Sequence, residues 1–155
     1  MKWTGLWALL LLALVQGADA GQRLRIVSLA PSLTELAYAA GAGDAMVGTV
    51  EYSDYPAAAR ALPRVGDAWS VDAEAVLALR PDLVLSWPSG TPAGTVARLR
   101  SLGVEVVEIP TFRLVDVATA LRSVGRIAGT EAVAEGAARR YEIEIRDLRA
   151  SHLGV

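Results

Sequence analysis

The stretch that most constrains the fold is residues 76–90, VLALRPDLVLSWPSG. A helical run ends there at Arg80-Pro81, because the residue before a proline is pushed out of the α region. Residues 83–85, which follow, form an apolar run with no polar face, which is typical of a parallel strand covered by helices on both sides. Trp87 stands just after this run, at the carboxyl end of the predicted strand, where open parallel sheets bind their ligands. The sequence therefore predicts a covered parallel sheet with a tryptophan at its ligand edge.

Strand and helix signals alternate along the rest of the chain. The predicted strands are residues 25–29, 46–50, 83–85 and 104–109, and the predicted helices are residues 33–40, a helix that ends at 79, and residues 93–102, 114–128 and 131–150. Such alternation predicts an α/β fold, a four-stranded parallel sheet flanked by helices and joined by right-handed crossovers. If the strand order is 2-1-3-4, the strand order reverses between the first and third strands, and the long connection at residues 52–69 borders the same crevice.

Three helix signals make local predictions. Ser32-Leu33-Thr34-Glu35 matches the capping box, in which a serine caps the helix and a glutamate reaches back. Ser70 or Asp72 is expected to cap the helix that ends at residue 79. Residues 131–150 carry apolar side chains at intervals of three and four, which predicts one apolar stripe on a long helix. The stripe consists of Val133, Ala137, Tyr141, Ile145 and Leu148.

The amino-terminal segment predicts export. Lys2 precedes an apolar run over residues 6–15 and the small-x-small pattern Ala18-Asp19-Ala20, which together are typical of a signal peptide cleaved after residue 20. The run is shorter than the roughly 20 residues that span a bilayer. The sequence has no cysteine, which excludes disulfides, thiolate metal sites and a lipid-anchored cysteine. We therefore expect a free periplasmic protein.

Signals for catalysis and for nucleic-acid binding are weak. His152 is the only histidine, whereas triads and proton shuttles usually recruit that residue. Residues 29–35 contain no glycine for a dinucleotide fingerprint, and no phosphate-loop or nucleophile-elbow motif occurs. The arginines are scattered and the formal net charge is −2, which disfavours a nucleic-acid partner. We expect a binding protein without catalytic residues, metal or cofactor; a periplasmic α/β hydrolase or isomerase is the alternative from another class.

Three aspartates, two in the long connection and one just after it, raise the question of a metal site. Asp54, Asp67 and Asp72 carry the oxygen ligands that hard cations prefer. Their spacing matches no known metal-binding loop. Roles as helix caps or turn residues are therefore favoured.

Aromatic residues in the predicted connections indicate a binding site. Tyr52, Tyr55 and Trp69 lie in the long connection, and Trp87 follows the third predicted strand. One such ring is explained equally well as a cover for the sheet edge. Four on one edge favour a large, flat, partly polar ligand, because amphipathic rings offer both an apolar face and a polar tip.

Three segments carry a family resemblance. RIVSLAPSLTELAYAAGAGDAMVG, EYSDYP and VDAEAVLALRPDLVLSW resemble the amino-terminal lobe of periplasmic cobalamin-binding proteins. These proteins belong to the helical-backbone family that supplies corrinoids, haem and iron-siderophores to ABC importers. The resemblance covers residues 25–109 and extends to residues 131–150, which are similar to the start of the helix that joins the two lobes.

The resemblance implies roles for four residues. Tyr52, Trp69 and Trp87 match the aromatic residues that line the corrin-binding cleft, and Glu74 matches a surface glutamate that docks onto arginines of the permease. For Glu74 an ordinary role is also open, because a helix dipole favours any acidic residue in the first turn.

The resemblance also implies a domain organisation. Residues 21–130 are expected to form the ligand-binding lobe and residues 131–155 the connecting backbone helix, in a monomer that meets the membrane only through its importer. Family members carry a second lobe, which this sequence does not contain; it is then a fragment of a longer frame, a degenerate copy or one of two separately encoded lobes. A haem or iron-siderophore binder of the same architecture is the alternative, with Tyr52 or Tyr55 as the axial haem ligand.

Overall fold

The computed structural model describes residues 23–67 and 69–153, so the predicted signal peptide lies outside the described residues. Within these ranges four strands alternate with five α-helices. The strands are β1 (Ile26–Ser28), β2 (Met46–Gly48), β3 (Leu83–Ser86) and β4 (Val106–Glu108). The helices are α1 (Pro31–Ala39), α2 (Ala73–Ala78), α3 (Ala93–Ser101), α4 (Leu114–Ala128) and α5 (Glu131–Leu153).

The strands form one parallel sheet, as predicted, and their order is β2-β1-β3-β4, the order that the sequence analysis considered as a condition. Ile26 of β1 lies opposite Leu83 of β3, and Val84 of β3 lies opposite Val106 of β4. The chain moves from β1 to β2 in one direction and then crosses to β3 on the other side of β1. The carboxyl ends of all four strands therefore share one edge, with the reversal of strand order between β1 and β3.

Two apolar layers cover the sheet. Leu83 and Leu85 of β3 point into the layer formed with α1, α4 and α5, whereas Val84 points into the layer formed with α2 and α3. All four residues of β3 are buried. This arrangement explains the absence of a polar face in residues 83–85, because a strand covered on both sides has no side exposed to water.

The start of α1 differs from the predicted capping box. The helix begins at Pro31, its cap residue is the extended Ala30, and no side chain accepts a capping hydrogen bond. Proline supplies the φ angle of a first helical turn and lacks the amide hydrogen that a cap would satisfy, so the helix begins before Ser32. Thr34 instead donates from Oγ1 to the carbonyl oxygen of Ala30 at 3.2 Å. The predicted end of this helix at Gly41 is confirmed, with φ +84° at that residue.

The beginning and end of α2 follow from local chemistry. Asp72 caps the helix by accepting hydrogen bonds from the backbone amides of Glu74 and Ala75, which confirms one of the two predicted caps. The helix stops before Arg80 and Pro81, as predicted. At this end Arg25 donates from Nη2 to the carbonyl oxygen of Leu79 at 2.7 Å, which ties the end of α2 to the start of β1.

The apolar stripe predicted for α5 is only partly buried. Ala137 is buried and Tyr141 is partly buried, but Val133 and Leu148 are exposed. The buried face of α5 is formed mainly by alanines, because α4 approaches closely at Gly125, where an added Cβ would lie 2.2 Å from the Cβ of Ala134. An ion-pair cluster also joins the two helices.

Arg122 of α4 is the centre of that cluster. Its Nε lies 2.7 Å from Oε2 of Glu135 and its Nη1 lies 2.7 Å from Oε1 of Glu142. Hydrogen bonds from Arg122 and Arg139 lower the pKa of Glu135 to about 2.

None of the helices within residues 23–67 and 69–153 has both the length and the apolarity to cross a membrane.

Candidate ligand-binding site

The candidate site lies at the carboxyl edge of the sheet, where the predicted aromatic residues are located. Tyr52, Tyr55 and Trp69 belong to the connection between β2 and α2, and Trp87 follows β3 directly. Because the strands are parallel, all of these connections leave the sheet at the same edge. We call the four residues the aromatic rim.

Tyr52 has a backbone conformation that is uncommon for its residue type. Its φ is +66°, in the left-handed region, and 81% of the residue is exposed. Such a conformation costs about 1–3 kcal/mol and persists where its surroundings fix it. Here the amide of Glu51 donates to the carbonyl oxygen of Gly66 at 2.8 Å, and the next residue, Ser53, is fully buried. An exposed ring is thus carried by a backbone that is fixed on both sides.

Trp69 is carried by a small hairpin whose two arms are residues 65–67 and 69–72. The amide of Asp72 donates to the carbonyl oxygen of Val65 at 2.8 Å, and the amide of Asp67 donates to that of Ser70 at 2.9 Å. The carboxylate of Asp67 accepts from the amides of Trp69 and Ser70 at 2.8 and 2.7 Å, and these hydrogen bonds hold its pKa below the usual aspartate value. The hairpin leaves Trp69 86% exposed.

Gly66 is required for that hairpin. Its φ is +130°, and an added Cβ would lie 2.1 Å from the carbonyl oxygen of Ser70. A side chain at this position would therefore collide with the opposite arm.

Trp87 has a different environment from Trp69. It is partly buried and packs against the core layer that contains α1, α4 and α5. Gly90 lies against its ring, because a Cβ there would approach Cε3 to 2.3 Å. The amide of Trp87 donates to Oγ1 of Thr91 at 3.1 Å, while its indole Nε1 is buried without a hydrogen-bond partner in the described structure. The predicted ligand contact of Trp87 therefore involves a ring that is largely packed.

Tyr55 borders a groove that the sequence does not indicate. The groove has a volume of about 670 Å³ and lies along α1, α4 and α5, where its walls include Ser32, Thr111, Arg140 and Tyr141. These residues come from separate parts of the chain, so no local motif marks them. The two exposed tyrosines thus have different neighbourhoods, with Tyr52 beside the hairpin and Tyr55 at the mouth of a groove.

The three aspartates have structural roles. Asp72 caps α2 and Asp67 closes the turn of the hairpin, as predicted. Asp54 lies 3.6 Å from Nη2 of Arg64. Each carboxylate thus faces hydrogen-bond donors of the protein itself.

Glu74 lies at the amino end of α2, which follows the rim connection. Its side chain is exposed, and its amide donates to Oδ1 of Asp72 at 2.9 Å. Among the described residues its carboxylate forms no ion pair. The only histidine, His152, is exposed on α5, away from the rim connections in the chain.

Comparison with known proteins identifies the family. A family model described as "Periplasmic binding protein" matches residues 26–153. The chain belongs to this family. The match includes all four strands of the parallel sheet and the whole of α5, so the family assignment rests on nearly the entire described fold.

Curated relatives within the family are named vitamin B12-binding proteins. One from Vibrio cholerae serotype O1 is 39% identical over 128 residues, which are 83% of this chain and 46% of the relative. One from Yersinia pestis is 36% identical over 125 residues, which are 81% of this chain and 45% of the relative. The chain therefore spans about half the length of the curated relatives it matches.

Solved structures give the same fold. The periplasmic vitamin B12 binding protein of Vibrio cholerae superposes with a TM-score of 0.79 at 39% identity, over 83% of this chain and 51% of that structure. A periplasmic haem binding protein from Pseudomonas aeruginosa superposes with a TM-score of 0.73 at 32% identity, over 79% and 44% of the two chains. All of these proteins are named as binding proteins, and both structures as periplasmic ones.

Proposed function

We propose that this periplasmic binding protein captures cobalamin or a related corrinoid at the aromatic rim for delivery to an ABC importer. The observation that carries the proposal is the exposure of Tyr52 and Trp69 at the carboxyl edge of a parallel sheet. Flat apolar faces with polar tips suit a bulky macrocycle that carries amide side chains. The names of the two vitamin B12-binding relatives support the same ligand class.

Three residues share the ligand contacts in this proposal. Tyr52 and Trp69 offer open ring faces to the ligand, and Trp87 supports it from a packed position with a smaller free surface. Glu74 is proposed to dock onto cationic side chains of the permease, because its carboxylate is exposed at the same end of the domain as the rim. The chain acts as a monomer and needs neither catalysis nor a resident cofactor, since capture and release involve no change of covalent bonds.

The binding energy available from the rim is limited. If three rings each cover roughly 100 Å² of ligand at about 25 cal/mol per Å², the gain is on the order of 7 kcal/mol. Association costs about 4–15 kcal/mol. The described residues alone should therefore bind a corrinoid at about millimolar affinity or more weakly. Tight capture requires a second surface opposite the rim, as the two-lobed resemblance implies.

The proposal includes a cellular location and a domain organisation. Residues 1–20 act as a cleaved signal peptide, residues 21–130 form the ligand-binding lobe, and residues 131–155 form a backbone helix. In support, α5 begins at Glu131, immediately after Gly129 in left-handed conformation and Thr130. The 23 residues of α5 make it about 34 Å long against about 22 Å for α4, so it extends beyond its partner helix.

A titration with cyanocobalamin tests the proposed ligand. In a ¹⁵N-labelled chain the indole N–H signals of Trp69 and Trp87 are assigned with Trp69→Phe and Trp87→Phe. Cyanocobalamin in the millimolar range should shift the Trp69 signal strongly and the Trp87 signal weakly. The matched control is Tyr38→Phe, which alters a ring that packs against Gly43 near the carboxyl end of α1 and should leave the titration unchanged. A shift at Trp87 without one at Trp69, or no shift at Trp69 in a longer chain that supplies the second surface opposite the rim, would contradict the proposal.

Haem is the second candidate ligand. The haem binding protein of Pseudomonas aeruginosa shares the fold, and Tyr52 and Tyr55 are both exposed, so that either phenol is free to reach an axial position on iron. A haem titration that produces a tyrosinate absorption band, and loses it in Tyr52→Phe or Tyr55→Phe, would favour haem over a corrinoid. Retention of the band in both single variants and in the double variant would exclude these two tyrosines as ligands.

A further inference from the structure

A chain of buried hydroxyl groups lies directly beneath the aromatic rim. Oγ1 of Thr49 lies 2.6 Å from Oγ1 of Thr34 and 2.8 Å from Oγ of Ser53, so the three hydroxyls form a hydrogen-bonded series. The three residues come from α1, from the end of β2 and from the rim connection, and all are fully buried. Buried hydroxyls are costly unless they are paired, and apolar residues of similar size would fill the same space. The hydroxyls therefore contribute directional contacts that a purely apolar core would lack.

The last hydroxyl of this hydrogen-bonded series belongs to Ser53, the neighbour of Tyr52. Ser53 follows Tyr52 in sequence, and Tyr52 has the left-handed φ of +66°. On the other side Glu51 is held by its amide hydrogen bond to Gly66. The buried Ser53 thus provides the second fixed point for a residue whose conformation is unfavourable by itself.

Arg64 provides an independent anchor for the same connection. Its Nη2 donates to the carbonyl oxygen of Ser53 at 3.2 Å, and its Nη1 donates to that of Ala59 at 3.0 Å. Arg64 is itself fixed to the sheet, because the adjacent Val65 donates from its amide to the carbonyl oxygen of Thr49 at 2.9 Å. The segment between Ser53 and Ala59, which carries Tyr55, is therefore held at both ends by one guanidinium group.

We infer that Thr49, Ser53 and Arg64 are positioning residues that hold the tyrosines of the aromatic rim in their ligand-binding orientation. This inference rests on the proposed function for the nature of the ligand. The three residues act through Tyr52 and Tyr55. Thr49 and Ser53 are fully buried, and Arg64 is partly buried with its guanidinium turned to backbone carbonyl oxygens. A loss of these contacts should release the tyrosines while the sheet stays intact.

A spin-label experiment tests the inference without a ligand. The chain has no cysteine, so Tyr52→Cys introduces a single thiol for a nitroxide label. Thr49→Val removes the central hydroxyl and keeps the shape of the side chain. We expect a fast-motion component in the electron paramagnetic resonance spectrum of the labelled Thr49→Val chain, and recovery of the slow spectrum in Thr49→Ser. Should Thr49→Val prevent folding, Ser53→Ala removes the loop end of the hydroxyl chain and is expected to give the same fast component.

Thr130→Val is the matched control. Thr130 also donates a hydroxyl hydrogen bond over a long sequence distance, to the carbonyl oxygen of Ala40 at 2.7 Å, but it lies at the opposite end of α1 from the rim. Its loss should lower the melting temperature and leave the label slow. If Thr49→Val and Ser53→Ala lower the melting temperature and also leave the label slow, the hydroxyls are merely structural and the inference is wrong.

A binding measurement then links the positioning to the ligand. In the unlabelled chain, Thr49→Val and Arg64→Met should weaken the apparent affinity for cyanocobalamin by about three- to tenfold. This range corresponds to the loss of one aromatic contact with the ligand. Thr130→Val should leave it unchanged. The cyanocobalamin titration of the parent chain tests the proposed function, whereas the spin-label comparison decides separately whether these residues position Tyr52.

Discussion

The two tryptophans of the aromatic rim have the same place in the topology but opposite environments. Both lie in connections that leave a parallel sheet at its carboxyl edge. Trp69 stands on a hairpin closed by backbone and aspartate hydrogen bonds and is 86% exposed, whereas Trp87 packs into the core layer beside Gly90. The difference shows that position after a parallel strand does not decide whether a ring is free for a ligand. The contacts of the connection that carries the ring decide it.

The largest expected difference is in the free energy of unfolding. Trp87→Ala should lower it by about 3 kcal/mol, because a packed ring leaves a cavity. Trp69→Ala should change it by no more than about 0.5 kcal/mol, because an exposed side chain leaves none. Urea unfolding of both variants measures the two values. Equal losses of unfolding free energy in the two variants would contradict the contrast between a packed and an exposed indole.

A smaller loss of unfolding free energy is expected when a side chain is placed at Gly66 in the hairpin. Gly66→Ala should lower the free energy of unfolding by about 1–3 kcal/mol and expose the amides of residues 65–67 and 69–72 to hydrogen exchange, because its Cβ collides with Ser70 and its φ becomes unfavourable. Gly94→Ala is the control, since a Cβ at that position of α3 meets no atom within 4 Å. It should stabilise the chain by about 0.5–1 kcal/mol. Protection of the hairpin amides in Gly66→Ala equal to that in the parent would show that the turn tolerates a side chain.

The smallest expected effect is the response of the hairpin around Asp67 to acid pH. Because hydrogen bonds from Trp69 and Ser70 lower the pKa of Asp67 in the folded chain, its contribution is fully present above the ordinary aspartate pKa and is lost as the pH falls through the lowered value. The amide signals of Trp69 and Ser70 should therefore shift only below the usual aspartate range, while the amide of Trp87, which bonds to Thr91, should not follow. Asp67→Asn should abolish the transition. A shift of the Trp87 amide in the same range would point to a common unfolding step.

Much of the sheet was predictable from the sequence because its signals are local. The apolar run at residues 83–85, the proline at 81 and the left-handed stop at Gly41 each depend on neighbouring residues only, and each is confirmed. The capping box at Ser32 was wrong, because Pro31 satisfies the same need by a different route. The stripe on α5 was partly wrong, because the close approach of α4 at Gly125 selects alanines for the buried face.

The candidate site was predictable in its residues and not in its geometry. Tyr52, Tyr55, Trp69 and Trp87 were singled out because amphipathic rings in the connections suit a large, flat ligand, and the family resemblance then selected Tyr52, Trp69 and Trp87. Their roles in ligand binding, and that of Glu74 in docking, stay predictions. The hydroxyl chain of Thr34, Thr49 and Ser53 gave no signal, because three separate polar residues form a network only after the fold brings them together.

The sequence by itself determined the parallel sheet and the edge at which the aromatic residues gather, whereas the strand order was a condition that the structure supplies. Periodicity and turn residues act over a few positions, and the handedness of crossovers then leaves few topologies. Only the tertiary structure decided which rings are free, because exposure depends on contacts between segments far apart in the chain. Trp69 is open and Trp87 is packed for that reason, although both leave the same edge of one sheet.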